Sequence, residues 1–209
     1  QTGTENASVL TDFLNELRER GLRIEEGILA VIDGGKGLHA ALKKAFKGYV
    51  LIQRCQWHKR ENVVSYLTKS KQETMRRRIR IAQQKPTYQE VKNALNDIIN
   101  DLETQNLSAA RSLEEGLEET LTLHRLGVFE LLGLSLRTTN CLESINSQVE
   151  ERCGKVDCWK NSSQKQRWLA SALLDIEPRL RTLMGYRHLP LLREKIKHAL
   201  KLERKEQVA

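Results

Sequence analysis

Apolar residues recur along this chain with two periods. Between residues 5 and 20, Val9, Leu10, Phe13, Leu14 and Leu17 return at helical spacing, and Gly21 follows as a stop. The unbroken apolar run Ile28–Ile32 predicts a buried strand. Lys36–Phe46 then sets Leu38, Ala41, Leu42 and Ala45 on one helical face, Gly48 ends it, and Tyr49–Gln53 predicts a second strand. Strand, helix and strand in that order imply two parallel strands in a covered sheet.

From Trp57 to Leu132 the period is helical throughout, with Pro86 as a break. Tyr88–Leu102 repeats Val91, Leu95, Ile98, Ile99 and Leu102, and a further helix is predicted over Ala109–Leu123. Later helices are predicted from Asn140 onward, over Gln164–Ile176 and over Leu192–Glu206. In the helix that opens at Asn140, Leu142, Ile145 and Val149 form the expected buried stripe. Asn140 suits the N-cap, and Glu143 stands where a capping box places its acid. The order is a small α/β piece, a helical block, then more helices.

Composition narrows the class. At 209 residues, 39% hydrophobic and 30% charged, the chain has the balance of one large globular domain, or of one domain with an insertion. No apolar run reaches the length of a membrane span, and no signal peptide is visible. The net charge of +8 favours an anionic partner, and nucleic acid is the commonest. Four cysteines, Cys55, Cys141, Cys153 and Cys158, make no dense framework, so a reducing compartment is expected.

Three places offer chemistry. Asp33 ends the first predicted strand, where α/β sheets bind ligands, and Gly34, Gly35 and Gly37 follow it closely. A phosphate-binding loop of the Gly-x4-Gly-Lys-[Ser/Thr] type is excluded, because Ala30 and Gly37 stand at two of its required positions. The plainer reading makes Asp33 a turn or N-cap residue. Next, Cys55-x2-His58 puts a thiol and an imidazole one helical turn apart. The pair suits zinc, with Cys153 and Cys158 as further ligands, or a Cys–His nucleophile, or a small buried side chain beside a satisfied histidine. Third, Glu143 sits beside the apolar stripe of its helix, so it is either a cap or an acid facing a cleft. The basic run of Arg76, Arg77, Arg78 and Arg80 meets DNA phosphates or is a solvated face.

Taken together, the segments Asp33-Gly34, Gly37-Leu38, Gln53-Arg54-Cys55, His58-Lys59, Asn62-Val63 and Thr138-Thr139-Asn140 with Glu143 and Asn146 resemble the transposases of Mutator-like bacterial insertion sequences. The resemblance runs from about Thr4 to Leu192. One departure is Gly35, where the family often has histidine. The resemblance implies an α/β fold of ribonuclease-H-like type, N-terminally truncated and carrying a large all-helical insertion. Its divisions fall at 1–66 for a partial catalytic core and 67–135 for the insertion. The stretch 136–180 holds the rest of the core with the glutamate helix, and 181–209 a helical tail. About 110 residues separate Asp33 from Glu143, far more than a simple strand-to-helix step needs, and the insertion accounts for the excess.

The resemblance also implies a DDE-type enzyme. Asp33 would be its second aspartate and Glu143 its third acid, together holding two Mg2+ or Mn2+ ions for DNA cleavage and strand transfer. Lys36, Arg54, Lys59, Arg76, Arg77, Arg78, Arg80, Asn140 and Asn146 are the expected DNA contacts, and Cys55 and His58 a family motif of unassigned role. The implied partners are terminal inverted repeats, target DNA and further copies of the protein, in the cytoplasm of a bacterium at the nucleoid. The first aspartate of such a site lies upstream of the segment matching Thr4–Gly21, and Asp12 falls mid-helix. The expectation is therefore a C-terminal fragment with little strand transfer by itself. Two other classes remain open: a DNA-binding module without catalysis, and a zinc-structured binding domain.

Overall fold

Two parallel strands organise the part of the molecule that carries the candidate site. The computed structural model describes residues 6–156 and 158–201. Strand β1 (Ile28–Ile32) pairs with β2 (Val50–Arg54), with Ile28 opposite Val50 and Ile32 opposite Arg54. Helix α1 (Ala7–Glu19) precedes β1, and helix α2 (Lys36–Phe46) makes the crossover between the strands. The predicted strand–helix–strand unit is present, with β2 one residue later than its predicted limits.

Side chains alternate across a strand, so each strand feeds two cores. Ile28, Ala30, Ile32, Val50 and Ile52 join Leu14, Ala41, Leu42 and Phe46 on the side of α1 and α2. Leu29 and Leu51 point the other way. They pack against a cluster from α8 (Thr122–Arg125), α9 (Phe129–Leu136) and α12 (Leu189–Ala199), which includes Leu123, Phe129, Leu132, Leu192 and Ile196. Both faces of the sheet are thus covered, as parallel strands require.

The helical block has a core of its own, from Val63 to Leu121. It contains α3 (Gln56–Ser65), α4 (Lys69–Gln83), α5 (Tyr88–Gln105), α6 (Leu107–Glu114) and α7 (Leu117–Thr120). Helix α5 buries Val91, Leu95, Ile98, Ile99 and Leu102, the predicted stripe, and opens with a capping box between Thr87 and Glu90. The single helix expected over Ala109–Leu123 is in fact three short ones. Glu115 leaves the helical backbone at ψ 116° and Gly116 takes φ +67°, a left-handed turn that ends α6 and restarts the chain in α7.

Helix α10 (Asn140–Cys153) also departs from expectation. None of its residues is buried, and Leu142 is exposed. The helix lies against α11 (Ser162–Ile176), where Arg152 and Asp175 form an ion pair, and of the predicted stripe Ile145 and Val149 are only half-buried. Helix α12 begins at Leu189, earlier than expected, and residues 202–206 of the predicted final helix lie outside the described residues. The described part is mostly helical with one small sheet. No helix in it is long and apolar enough to cross a membrane.

Candidate active site

The C-terminal end of the sheet gathers residues from three distant parts of the sequence. Ile32, the last residue of β1, accepts a hydrogen bond from the Cys55 amide at 2.7 Å. That contact sets the Cys55–His58 segment beside Asp33. The Gln56 amide donates to the Arg137 carbonyl at 2.9 Å, which brings the approach to α10 to the same edge. Asp33 is exposed, and its Oδ1 accepts from the Gly35 amide at 3.0 Å. This is an aspartate turn, as the plainer reading expected, and it leaves the second carboxylate oxygen without a protein partner among the described residues.

Thr139 ties the other pieces together. Its hydroxyl donates to Glu143 Oε1 at 2.9 Å. Thr139 Oγ1 itself also lies 3.6 Å from Cys55 Sγ and 3.4 Å from His58 Nδ1. A hydroxyl has one proton to give, and the shortest contact takes it, so the thiol or the imidazole N–H donates into the Thr139 oxygen. His58 Nε2 stands 3.8 Å from Glu143 Oε1 as well. The Cys-x2-His motif therefore supports the glutamate through a threonine. Sequence reading did not assign Thr139 this role, although the residue stands in the Thr138-Thr139-Asn140 segment.

These contacts change the expected capping of α10. Thr139, not Asn140, is the N-cap of α10, and its side chain makes no bond to the helix backbone. The expected capping box is absent, because Glu143 takes the Thr139 hydroxyl instead. Cys55 is fully buried, so its thiol offers no surface to a substrate in this structure. Among the described residues no group of three or more His, Cys, Asp or Glu side chains forms a metal-holding cluster. Neither a four-ligand zinc site nor a complete three-carboxylate site is assembled from these residues alone.

The expected DNA contacts divide by exposure. Lys36, Arg77, Arg80, Asn140 and Asn146 are exposed. Arg76 is engaged by Glu61 at 3.0 Å, and Arg78 by Asp101. Lys59 is 1% exposed, and its ammonium donates to the Ser112 carbonyl at 2.6 Å and to the Glu115 carbonyl. Burial pulls its pKa down to about 8, and the neighbouring Arg54 adds to the effect. Arg54 is buried too and bonds main-chain carbonyls. Both side chains are turned inward onto the α6–α7 turn, unlike the exposed members of the set.

Beside Asp33 opens a cleft of about 540 Å³. Ile32, Gly34, Lys36, His39 and Arg54 form its sheet side, and residues 114–119 of the helical block form the opposite wall. His39 Nε2 meets Glu119 Oε1 at 2.6 Å across it. The model of the family described as "Transposase, Mutator family" matches residues 1–180. The chain belongs to the Mutator family of transposases.

Relatives of this Mutator-family chain carry matching descriptions. The chain is 27% identical over 177 residues to a transposase for insertion sequence element IS256 in transposon Tn4001 of Staphylococcus aureus, covering 82% of this chain and 43% of that protein. It is 27% identical over 160 residues to a transposase for insertion sequence element IST2 of Acidithiobacillus ferrooxidans, covering 76% and 53%. It is 27% identical over 167 residues to a transposase for insertion sequence element IS406 of Burkholderia multivorans, covering 79% and 42%. The chain thus spans about half the length of the relatives it matches, or less.

Proposed function

We propose that this chain contributes two acids, Asp33 and Glu143, to a DNA-cleaving site of DDE type on a ribonuclease-H-like core. The observation that carries the reading is the route through one sheet end in a Mutator-family chain. It runs from Asp33 through Ile32 to Cys55, and through Thr139 to Glu143. The substrate is insertion-sequence DNA with its terminal inverted repeats, and the reaction is strand cleavage and transfer to a target. In the intact protein the active form is a homo-oligomer.

Carboxylate oxygens are hard donors and suit Mg2+ or Mn2+. Asp33 and Glu143 would hold such ions together with a further carboxylate, since no metal-holding group of three is present among the described residues. Ions held there would supply activation of the attacking hydroxyl or water and charge stabilisation at the leaving oxygen. The residues of this chain do the rest. The Gly35 amide fixes one oxygen of Asp33, and the Thr139 hydroxyl fixes one oxygen of Glu143. Lys36, Arg77 and Arg80 offer exposed charge to phosphates.

In the intact transposase, Asp33→Asn and Glu143→Gln are each expected to lower cleavage of terminal-repeat DNA at least ~100-fold and to leave DNA affinity within about twofold. Cleavage kinetics and a binding isotherm measured on the same preparation check this. Normal cleavage by either variant removes that residue from the site. Binding without metal-dependent cleavage in the unsubstituted protein would instead favour the non-catalytic DNA-binding reading.

A further inference from the structure

Arg54 ends β2, and its side chain is only 10% exposed. Its guanidinium donates through Nη2 to the Gly34 carbonyl and through Nη1 to the Glu115 carbonyl, each at 3.2 Å. The Glu115 carboxylate stands 3.8 Å from Nη2. Two glycines make room for this planar group. Gly34 takes φ +111° and Gly116 φ +67°, and a Cβ on either would overlap the guanidinium. The glycines come from opposite walls of the cleft. Gly34 follows Asp33 at the sheet end, and Gly116 lies in the break between α6 and α7.

The Gly34 carbonyl and the Gly35 amide belong to one planar peptide unit. Arg54 holds the carbonyl end of that plane, and Asp33 Oδ1 accepts from its N–H end. Fixing one end orients the other, and polarisation through the amide strengthens both bonds.

We infer that Arg54 is a positioning residue, a guanidinium bolt that sets the Asp33 carboxylate against the α6–α7 turn of the helical block. The block and the candidate acid are then one mechanical unit. Lysine could not do this, because a single ammonium does not present the rigid fork that reaches two divergent carbonyls. The coupling rests on the contacts alone. Its consequence for catalysis rests on the transposase reading above.

The test compares the whole chain with Arg54→Lys and Gly116→Ala by amide hydrogen exchange and amide proton shifts. Gly116→Ala displaces the guanidinium from a site more than eighty positions away from Asp33 in sequence. In both variants the Gly35 amide is expected to exchange about tenfold faster and to move upfield, while Leu95 in α5 keeps its protection. An unchanged Gly35 signal in Arg54→Lys overturns the inference, whether or not residues 114–119 loosen. Should Gly116→Ala also disturb α5, Arg54→Lys decides, since it keeps the charge and the aliphatic stem. In the intact transposase, Arg54→Lys is expected to lower kcat about tenfold at unchanged KM for DNA. A raised KM with a shallower salt dependence would make Arg54 a phosphate contact and overturn the inference from the other side. Full cleavage by Asp33→Asn would defeat only the reading of the site, and the exchange result would still stand.

Discussion

Lys59 shows what a single buried charge costs and where the cost is relieved. Its ammonium reaches two carbonyls at the end of α6 but has lost nearly all contact with water. The folded pKa of about 8 lies below the ordinary lysine value of 10.5. Between those values the unfolded chain binds a proton that the folded chain does not, so stability from this residue rises with pH. The penalty is full below about pH 8 and gone above about 10.5. Wild type is expected to gain on the order of 2 kcal/mol relative to Lys59→Met between pH 8 and pH 10. Urea unfolding of both proteins at the two pH values checks it. The comparison cancels the titration of every other lysine.

At the scale of the element, α4 separates charge that is engaged from charge that is free. Met75, Ile79 and Ala82 bury one stripe, Arg76 and Arg78 pair with acids, and Arg77 and Arg80 stay exposed. Replacing both free arginines by glutamine is expected to lower the slope of log affinity against log salt by up to ~2 in DNA binding by the intact protein. The Arg76→Gln, Arg78→Gln pair changes it little. Titration at several salt concentrations distinguishes the two pairs.

The same scale shows what the sequence made legible. The apolar run of β1 and the stripe of α5 declared themselves, because each buries a face with a fixed period. The break at Gly116 did not. Glu115 is ordinary for a helix, and one glycine inside a helical pattern is commonly tolerated. What ends α6 there is Arg54 and Lys59 arriving from β2 and α3, and contacts so distant in sequence leave no local pattern. Asp33 and Glu143 could be nominated from motif spacing. The Thr139 link between Cys55 and Glu143 could not, since a threonine before a helix reads only as a cap.

At the largest scale, the described residues form three cores, joined through the sheet and α3. The helical core from Val63 to Leu121 shares none of its buried residues with the core around α1 and α2. Leu95 is fully buried at the centre of the first. Leu95→Ala is expected to cost about 3 kcal/mol. The loss should appear in native-state hydrogen exchange as faster opening of α4, α5 and α6, with the amides of β1 and β2 protected as before.

β1 lies between two of these cores, and its odd and even positions answer to different ones. Leu29 faces the α8, α9 and α12 cluster, while Ala30 faces α1 and α2. Deleting any one residue from Ile28–Ile32 would exchange these allegiances along the strand. It would also turn the acid that follows to the wrong side of the sheet. Exposed loops far from the Asp33 turn, the Gly116 break and the Thr139 segment tolerate changes of length far better. Between Ile28 and Asp33 the spacing is fixed by parity, and a frame-preserving deletion of one codon there is expected to disturb both cores at once.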